Sequence, residues 1–240
     1  MGVQQRIPPL LARQIGFAHR GARAHVQENT LEAFALAQRL GANGLESDVW
    51  ITQDGVCVLD HDGVVKRKLR SRPISEFERN ALPDWIPTVS DLIEMGDNDA
   101  NISLDVKDIR AMPELVKLLL SQQNSSQYWL CHPDLQFLQQ WVGRVGDIHL
   151  VHSTRLTAMK FGPERHAATL LEAGVHCVNM PFPDWNGGLV ALFHRFDIFA
   201  FGWNLQYPEV IRSGLLMGLD GVFSDWSDRL ADEMQRVNPL

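Results

Sequence analysis

FAHRGARAHVQENTLEAF, running from Phe17 to Phe34, joins two kinds of pattern at one point. A short apolar run over residues 15–18, broken only by Gly16, has the length of a buried strand. It stops at His19, Arg20 and Gly21. Glu28, Asn29 and Thr30 then open the amphipathic run LEAF, with Thr30 at the position of a helix N-cap. Strand, chemically loaded turn and helix in that order make a βα unit.

The same alternation continues along the chain. Strand-like runs fall at residues 15–18, 44–49, 102–106, 128–131, 148–152, 176–179, 198–203 and 221–224. Helix-period runs fall at 31–40, 89–95, 113–121, 133–142, 164–173, 188–196, 208–217 and 228–237. Pro113 and Pro133 suit first turns, and Gly41, Gly174 and Gly218 lie near helix ends. Eight such units in 240 residues predict an α/β fold, a single-domain (β/α)8 TIM barrel spanning residues 1–240. A doubly wound open sheet is the alternative, but no G-x-G-x-x-G follows the first strand.

One element departs from the alternation. WITQDGVCVLDHD, Trp50 to Asp62, holds two β-like runs separated only by Gln53, Asp54 and Gly55. That gap is too short for a parallel crossover, and Asp-Gly signals a hairpin. Residues 56–60 are therefore expected to return antiparallel along the second strand, carrying His61 to the level of Glu46 and Asp48.

Composition narrows the function classes. Hydrophobic residues make up 45 % of the chain and the net charge is −7, which disfavours nucleic-acid binding through phosphate neutralisation. No apolar run is long enough for a membrane span, so no stable membrane insertion is expected. The N-terminus shows neither a signal-peptide pattern nor a myristoylation signal after Gly2. Cys57, Cys131 and Cys177 are odd in number and each sits in a strand-like run, which fits free thiols in a cytoplasmic protein. Oligomeric state is not legible.

In a barrel of this kind the carboxyl ends of the strands form the site. They carry His19, Arg20, Glu46, Asp48, Asp105, Lys107, His152, Asn179, Trp203 and Asp225, with His61 and Asp62 delivered by the hairpin. Glu46 and Asp48 share one face of their strand, as do Asp105 and Lys107. Burying three carboxylates together is costly unless a cation joins them, and one hard divalent ion, Mg²⁺ or Ca²⁺, meets that need. Histidines, an arginine, a lysine and such a cation describe a site for a phosphate ester.

These residues match a family. HRG followed by ENT and AF, ESD, TQDG followed by HD, LDVK, WNLQ and GLDGVFSD together resemble the glycerophosphodiester phosphodiesterases, in order from Phe17 to Asp225. The resemblance implies a metal-dependent (β/α)8 barrel that hydrolyses small glycerophosphodiesters to an alcohol and sn-glycerol 3-phosphate. It implies Glu46, Asp48 and Asp105 as metal ligands, His19 and His61 as the acid/base pair, and Arg20 and Lys107 on the phosphate. Glu28 and Asn29 would steady the site, and Asp62 would brace the hairpin or His61. Trp203 would wall the substrate; His152, placed by its strand end and not by a family motif, is a further candidate to reach it.

Three features depart from the family pattern. Asp105 stands where many members have Glu, the tract from Asp62 to Pro87 is short, and Trp203-Asn204-Leu205-Gln206 replaces Trp-Thr-Val-Asn. Asp105 with Lys107 is closer to the related sphingomyelinase D enzymes. A lysophospholipase D-like or sphingomyelinase D-like activity is therefore one alternative, and a non-catalytic phosphate-binding protein is another. KRKLRSR, Lys66 to Arg72, reads as a solvated loop or as a device steering anions or a membrane surface to the mouth. Met159, Phe161 and Trp185 read as packing under loops, or as a pocket for a greasier alcohol.

Overall fold

The computed structural model describes residues 6–67, 70–96 and 100–238, and its eight parallel strands close on themselves. The order round the barrel is β1 (Ile15–His19), β2 (Gly44–Ile51), β6 (Asn101–Val106), β7 (Tyr128–His132), β8 (His149–Ser153), β9 (Cys177–Pro181), β10 (Phe199–Trp203) and β11 (Gly221–Ser224). β1 pairs with both β2 and β11, which seals the ring. The predicted barrel is the observed one.

Helices α1 (Leu31–Arg39), α2 (Val89–Met95), α3 (Met112–Leu120), α4 (Leu135–Gln139), α5 (Gly162–Ala173), α6 (Gly187–His194), α7 (Pro208–Leu216) and α8 (Ser227–Val237) lie between and after these strands. Thr30 caps α1 by accepting from the Ala33 amide, and Ala33, Phe34 and Ala37 form its buried stripe. α4 is shorter than its apolar pattern suggested. Asp134 caps it by accepting from the Gln136 and Phe137 amides, so Pro133 stays outside the helix. No helix among the described residues is long and apolar enough to cross a membrane.

The interior is closed by rings. Phe17 stacks on Phe223 at 4.5 Å between centroids, and Trp129 packs on Phe201 at 4.7 Å. Gly44 makes room for this plug: a Cβ there would stand 2.7 Å from both Ile15 and Phe17. Gly221 does the same against Phe201. At the opposite end from the site, the fully buried Asp220 accepts from the Leu10, Leu11 and Ala200 amides and lies 2.9 Å from His194 Nε2.

The hairpin is present. β3 (Cys57–Leu59) runs antiparallel to β2, pairing Val49 with Leu59 and Ile51 with Cys57. The Asp60 amide then donates to the Asp48 carbonyl at 3.1 Å, so His61 follows immediately after the level of Asp48. The basic stretch is more ordered than a solvated loop: β4 (Val64–Arg67) and β5 (Arg70–Pro73) pair as a second antiparallel ribbon. Lys68 and Leu69 of that stretch lie outside the described residues, as does the segment 1–5 that carries Gly2.

Candidate active site

At the carboxyl end of the barrel lies a cavity of about 390 Å³. Its wall follows from the two-residue repeat of the strands and the pairings round the ring. Glu46, Cys131, Asn179 and Phe223, from alternate strands, form one layer of inward side chains. His19, Asp105, Ser153 and Trp203, from the other four, form the layer above it. Asp48, Lys107 and Arg20 line the cavity nearer the mouth.

The turn after β1 is tightly specified. Arg20 has φ 57° and Gly21 φ 77°, and a Cβ on Gly21 would stand 2.7 Å from the Ala33 backbone carbon. Only glycine fits there. The left-handed turn aims the Arg20 amide at Glu46, donating to Oε2 at 3.0 Å and to the backbone carbonyl at 2.9 Å. Its guanidinium lies between Asp48, at 3.2 Å, and Glu28, at 3.1 Å. Glu28 also holds Arg23 at 3.0 Å, so one carboxylate fixes two arginines. Asn29 does not enter the cavity. It is buried with φ 54°, and its Oδ1 accepts from Ser47 Oγ at 2.7 Å on the outer side of β2.

His19 is hydrogen-bonded at Nδ1 and near a carboxylate at Nε2. Nδ1 lies 2.7 Å from Asp225 Oδ1, which directs Nε2 toward Glu46 at 3.8 Å. Burial alone would lower the pKa of this imidazole. The charge of Glu46 and the hydrogen bond and charge of Asp225 outweigh that, so the net shift is upward. Asp225 moves the other way: burial opposes ionisation, but the bond to His19 and the charges of His19 and Arg23 hold its carboxyl below the usual range.

The carboxylates are under strain of a different kind. Burial, with Asp48 and Asp105 nearby, pushes Glu46 up to about 7 against the lowering charge of His19. Burial raises Asp105 as well, against the charge of Lys107. Lys107 Nζ bridges Asp105 at 2.5 Å and Asp48 at 3.1 Å. Burial disfavours its charge, yet these two carboxylates raise its pKa.

Among the described residues, no three His, Cys, Asp or Glu side chains converge as a ready metal cage. At this cluster the cations between carboxylates are Lys107 and Arg20. The donor set nonetheless suits a hard divalent ion. Asp48 and Asp105 are register partners on adjacent strands, Glu46 is one inward position below Asp48, and Asp48 Oδ2 is buried without an aligned hydrogen bond. Fit requires Lys107 to leave the carboxylates.

Other expected residues stand elsewhere. His61 is exposed beside the hairpin, its Nδ1 2.9 Å from Asp62, and it is not part of the cavity wall. His152 is corrected. Ser153 is the inward residue of β8, so its neighbour His152 faces the helices; its ring meets His166 at 3.2 Å and the Pro133 carbonyl at 3.1 Å. Met159 and Trp185 are buried, and Trp185 donates to the Phe201 carbonyl, whereas Phe161 is 84 % exposed. Arg23, Ser103 and Ser153 line the cavity without having been singled out from the sequence, whereas Asn204 and Gln206, noted there only as departures beside Trp203, line it as well. Asp225 was read only as a strand-end residue; its signal was the position directly after β11.

Comparison with known proteins gives the family and the fold. Residues 19–229 match the model of the glycerophosphoryl diester phosphodiesterase family. A glycerophosphodiester phosphodiesterase of Caldanaerobacter subterraneus is 33 % identical over 106 residues, a match spanning 38 % of this chain and 44 % of that protein. A probable glycerophosphodiester phosphodiesterase of Mycobacterium tuberculosis is 26 % identical across 91 % of this chain and 90 % of its own length. Among solved structures, a phosphodiesterase of Oleispira antarctica in complex with the product sn-glycerol-3-phosphate superposes with a TM-score of 0.79 at 18 % identity, covering 92 % of this chain and 96 % of that one.

Proposed function

The chain belongs to the glycerophosphoryl diester phosphodiesterase family, and from that premise we propose that it hydrolyses glycerophosphodiesters to an alcohol and sn-glycerol 3-phosphate. The observation that carries this reading is His19, clamped by Asp225 at 2.7 Å with Nε2 turned into a cavity that Arg20 and Lys107 also line. An anchored imidazole beside two fixed cations is what a phosphodiester needs: charge compensation for the phosphoryl oxygens and a group that moves a proton.

Arg20 offers a planar fork to the phosphate from a position set by Glu28 and Asp48. Lys107, released from Asp48 and Asp105, is the second phosphate donor. His19 exchanges a proton at Nε2 while Asp225 keeps Nδ1 protonated and the ring in register. His61, from the hairpin loop, is the partner that handles the other proton. The nucleophile is the neighbouring glycerol hydroxyl or a water, and the intramolecular route has the advantage of proximity. A divalent cation, Mg²⁺ or Ca²⁺, held by Glu46, Asp48 and Asp105, would supply neutralisation of developing charge and acidification of the attacking hydroxyl. Trp203 supplies an apolar wall. The three buried free thiols accord with a cytoplasmic location.

Phe161 favours a second reading, hydrolysis of a lysolipid. It is 84 % exposed in the loop after β8, where Arg155 lies 5.5 Å over the Trp203 ring. One assay panel separates the two. Purified protein is given glycerophosphocholine, glycerophosphoethanolamine and lysophosphatidylcholine, each with Mg²⁺, Ca²⁺ or EDTA. Release of glycerol phosphate from the first two supports the main reading, and choline release from the lysolipid alone supports the second. No turnover of any of them sinks both.

A further inference from the structure

Asn179 is 7 % exposed, and none of the described groups hydrogen-bonds its Oδ1. It is nevertheless part of the cavity wall. Its backbone is occupied in the sheet: its carbonyl accepts from the Thr154 amide at 2.9 Å, and its register partners are Ser153 on β8 and Phe201 on β10. A buried amide oxygen without a donor is expensive to keep, and native interiors rarely keep one without a use. Below it on β9 the inward residue is Cys177, which joins Val151 and Phe201 of the neighbouring strands in a buried apolar cluster. The amide is therefore the exception in its column.

Its place in the ring says what it faces. Asn179 shares a layer with Glu46, and β9 lies four strands from β2 in a ring of eight, directly across. Arg20, Asp48, Asp105 and Lys107 cluster on the β1, β2 and β6 side. A ligand whose phosphate sits on that side presents its other end to Asn179, Ser153 and Trp203. An amide offers one acceptor and at least one donor, and Ser153 beside it adds a hydroxyl. The complement of such a wall is a neutral group that both donates and accepts, which is an alcohol.

We infer that Asn179, with Ser153 beside it, forms a subsite for the terminal hydroxyl of the glycerol unit, so that the polyol half of the ligand lies against β8 and β9. The inference rests on the reading of the cavity as a glycerophosphodiester site and adds which wall selects the glycerol. A ligand lacking that hydroxyl leaves the amide buried and unpaired, which penalises it by roughly tenfold or more in affinity.

The test is titration calorimetry of the full chain in magnesium-containing buffer. The ligands are sn-glycerol 3-phosphate and propane-1,2-diol phosphate, the same molecule without the terminal hydroxyl. The wild type is expected to prefer the former about tenfold. Asn179→Leu, close in volume, should bind both equally, with the sn-glycerol 3-phosphate affinity falling to that of the deoxy ligand. Asn179→Ala serves if the leucine variant does not fold, as judged by its thermal melt. Absence of sn-glycerol 3-phosphate binding by the wild type, equal wild-type affinities, or a preference that survives both substitutions would overturn the inference. Turnover of glycerophosphocholine is read separately: a wild type with the preference but no turnover would sink only the hydrolytic reading.

Discussion

Asp225 Oδ1 and His19 Nδ1 lie 2.7 Å apart, although 206 residues separate them in the chain. The bond selects the ring tautomer and leaves Nε2 as the nitrogen facing the cavity. Asp225→Asn can still reach Nδ1 but donates where the carboxylate accepted. It is expected to lower kcat by about 10²–10⁴-fold with KM changed little. A kcat within threefold of wild type, in a variant with an unchanged melting curve, would remove Asp225 from the mechanism.

The two histidines should separate from the metal ligands in a binding assay. His19→Ala and His61→Ala are each expected to lose about 10²–10⁴-fold in turnover while keeping divalent-ion binding. His61 is the more exposed of the two and lies outside the cavity wall, so its variant is the sharper test. If both single variants keep wild-type rates, the acid/base assignment fails.

Cation dependence has a readout without substrate. Dialysis against EDTA should abolish activity, and Mg²⁺ or Ca²⁺ at 100 times its dissociation constant should raise stability by about 2.7 kcal/mol. Glu46→Gln and Asp105→Asn should blunt that shift in melting temperature. An identical shift in both variants would move the ion elsewhere.

His152 makes an acid-sensitivity prediction. Burial, aided by the charge of His166, pushes its pKa down to about 4. The unfolded chain, with an ordinary imidazole near 6.5, takes up the proton first as pH falls. The stabilisation is therefore complete above about pH 6.5 and declines toward pH 4, by about 3 kcal/mol in all. Burial lowers His149 and His166 too, which adds in the same direction. Raised carboxyls such as Glu46 act oppositely, so the quantity to measure is wild type minus His152→Leu in urea melts between pH 4 and 7. A difference that does not change with pH would refute the buried neutral state.

The barrel itself was legible in the sequence because it rests on local periodicities. Runs of strand length alternate with 3.6-period helices, Thr30 marks a cap, and Asp54-Gly55 marks the hairpin that returns along β2. The same periodicity put Glu46 with Asp48, and Asp105 with Lys107, on shared strand faces at the cavity end. A two-residue repeat says which residues share a face, but not which face turns inward. His152 went astray for that reason, since closure of the ring gives the inward position on β8 to Ser153. Contacts between strands were equally out of reach: Lys107 between two carboxylates needs β6 beside β2, and Asp225 on His19 and Asn179 opposite Glu46 exist only once β11 meets β1. Local pattern encodes the elements through short-range sterics and hydrophobic spacing. The charge pairings that make a site come from bringing distant strand ends within a few ångströms, which only strand pairing and closure do.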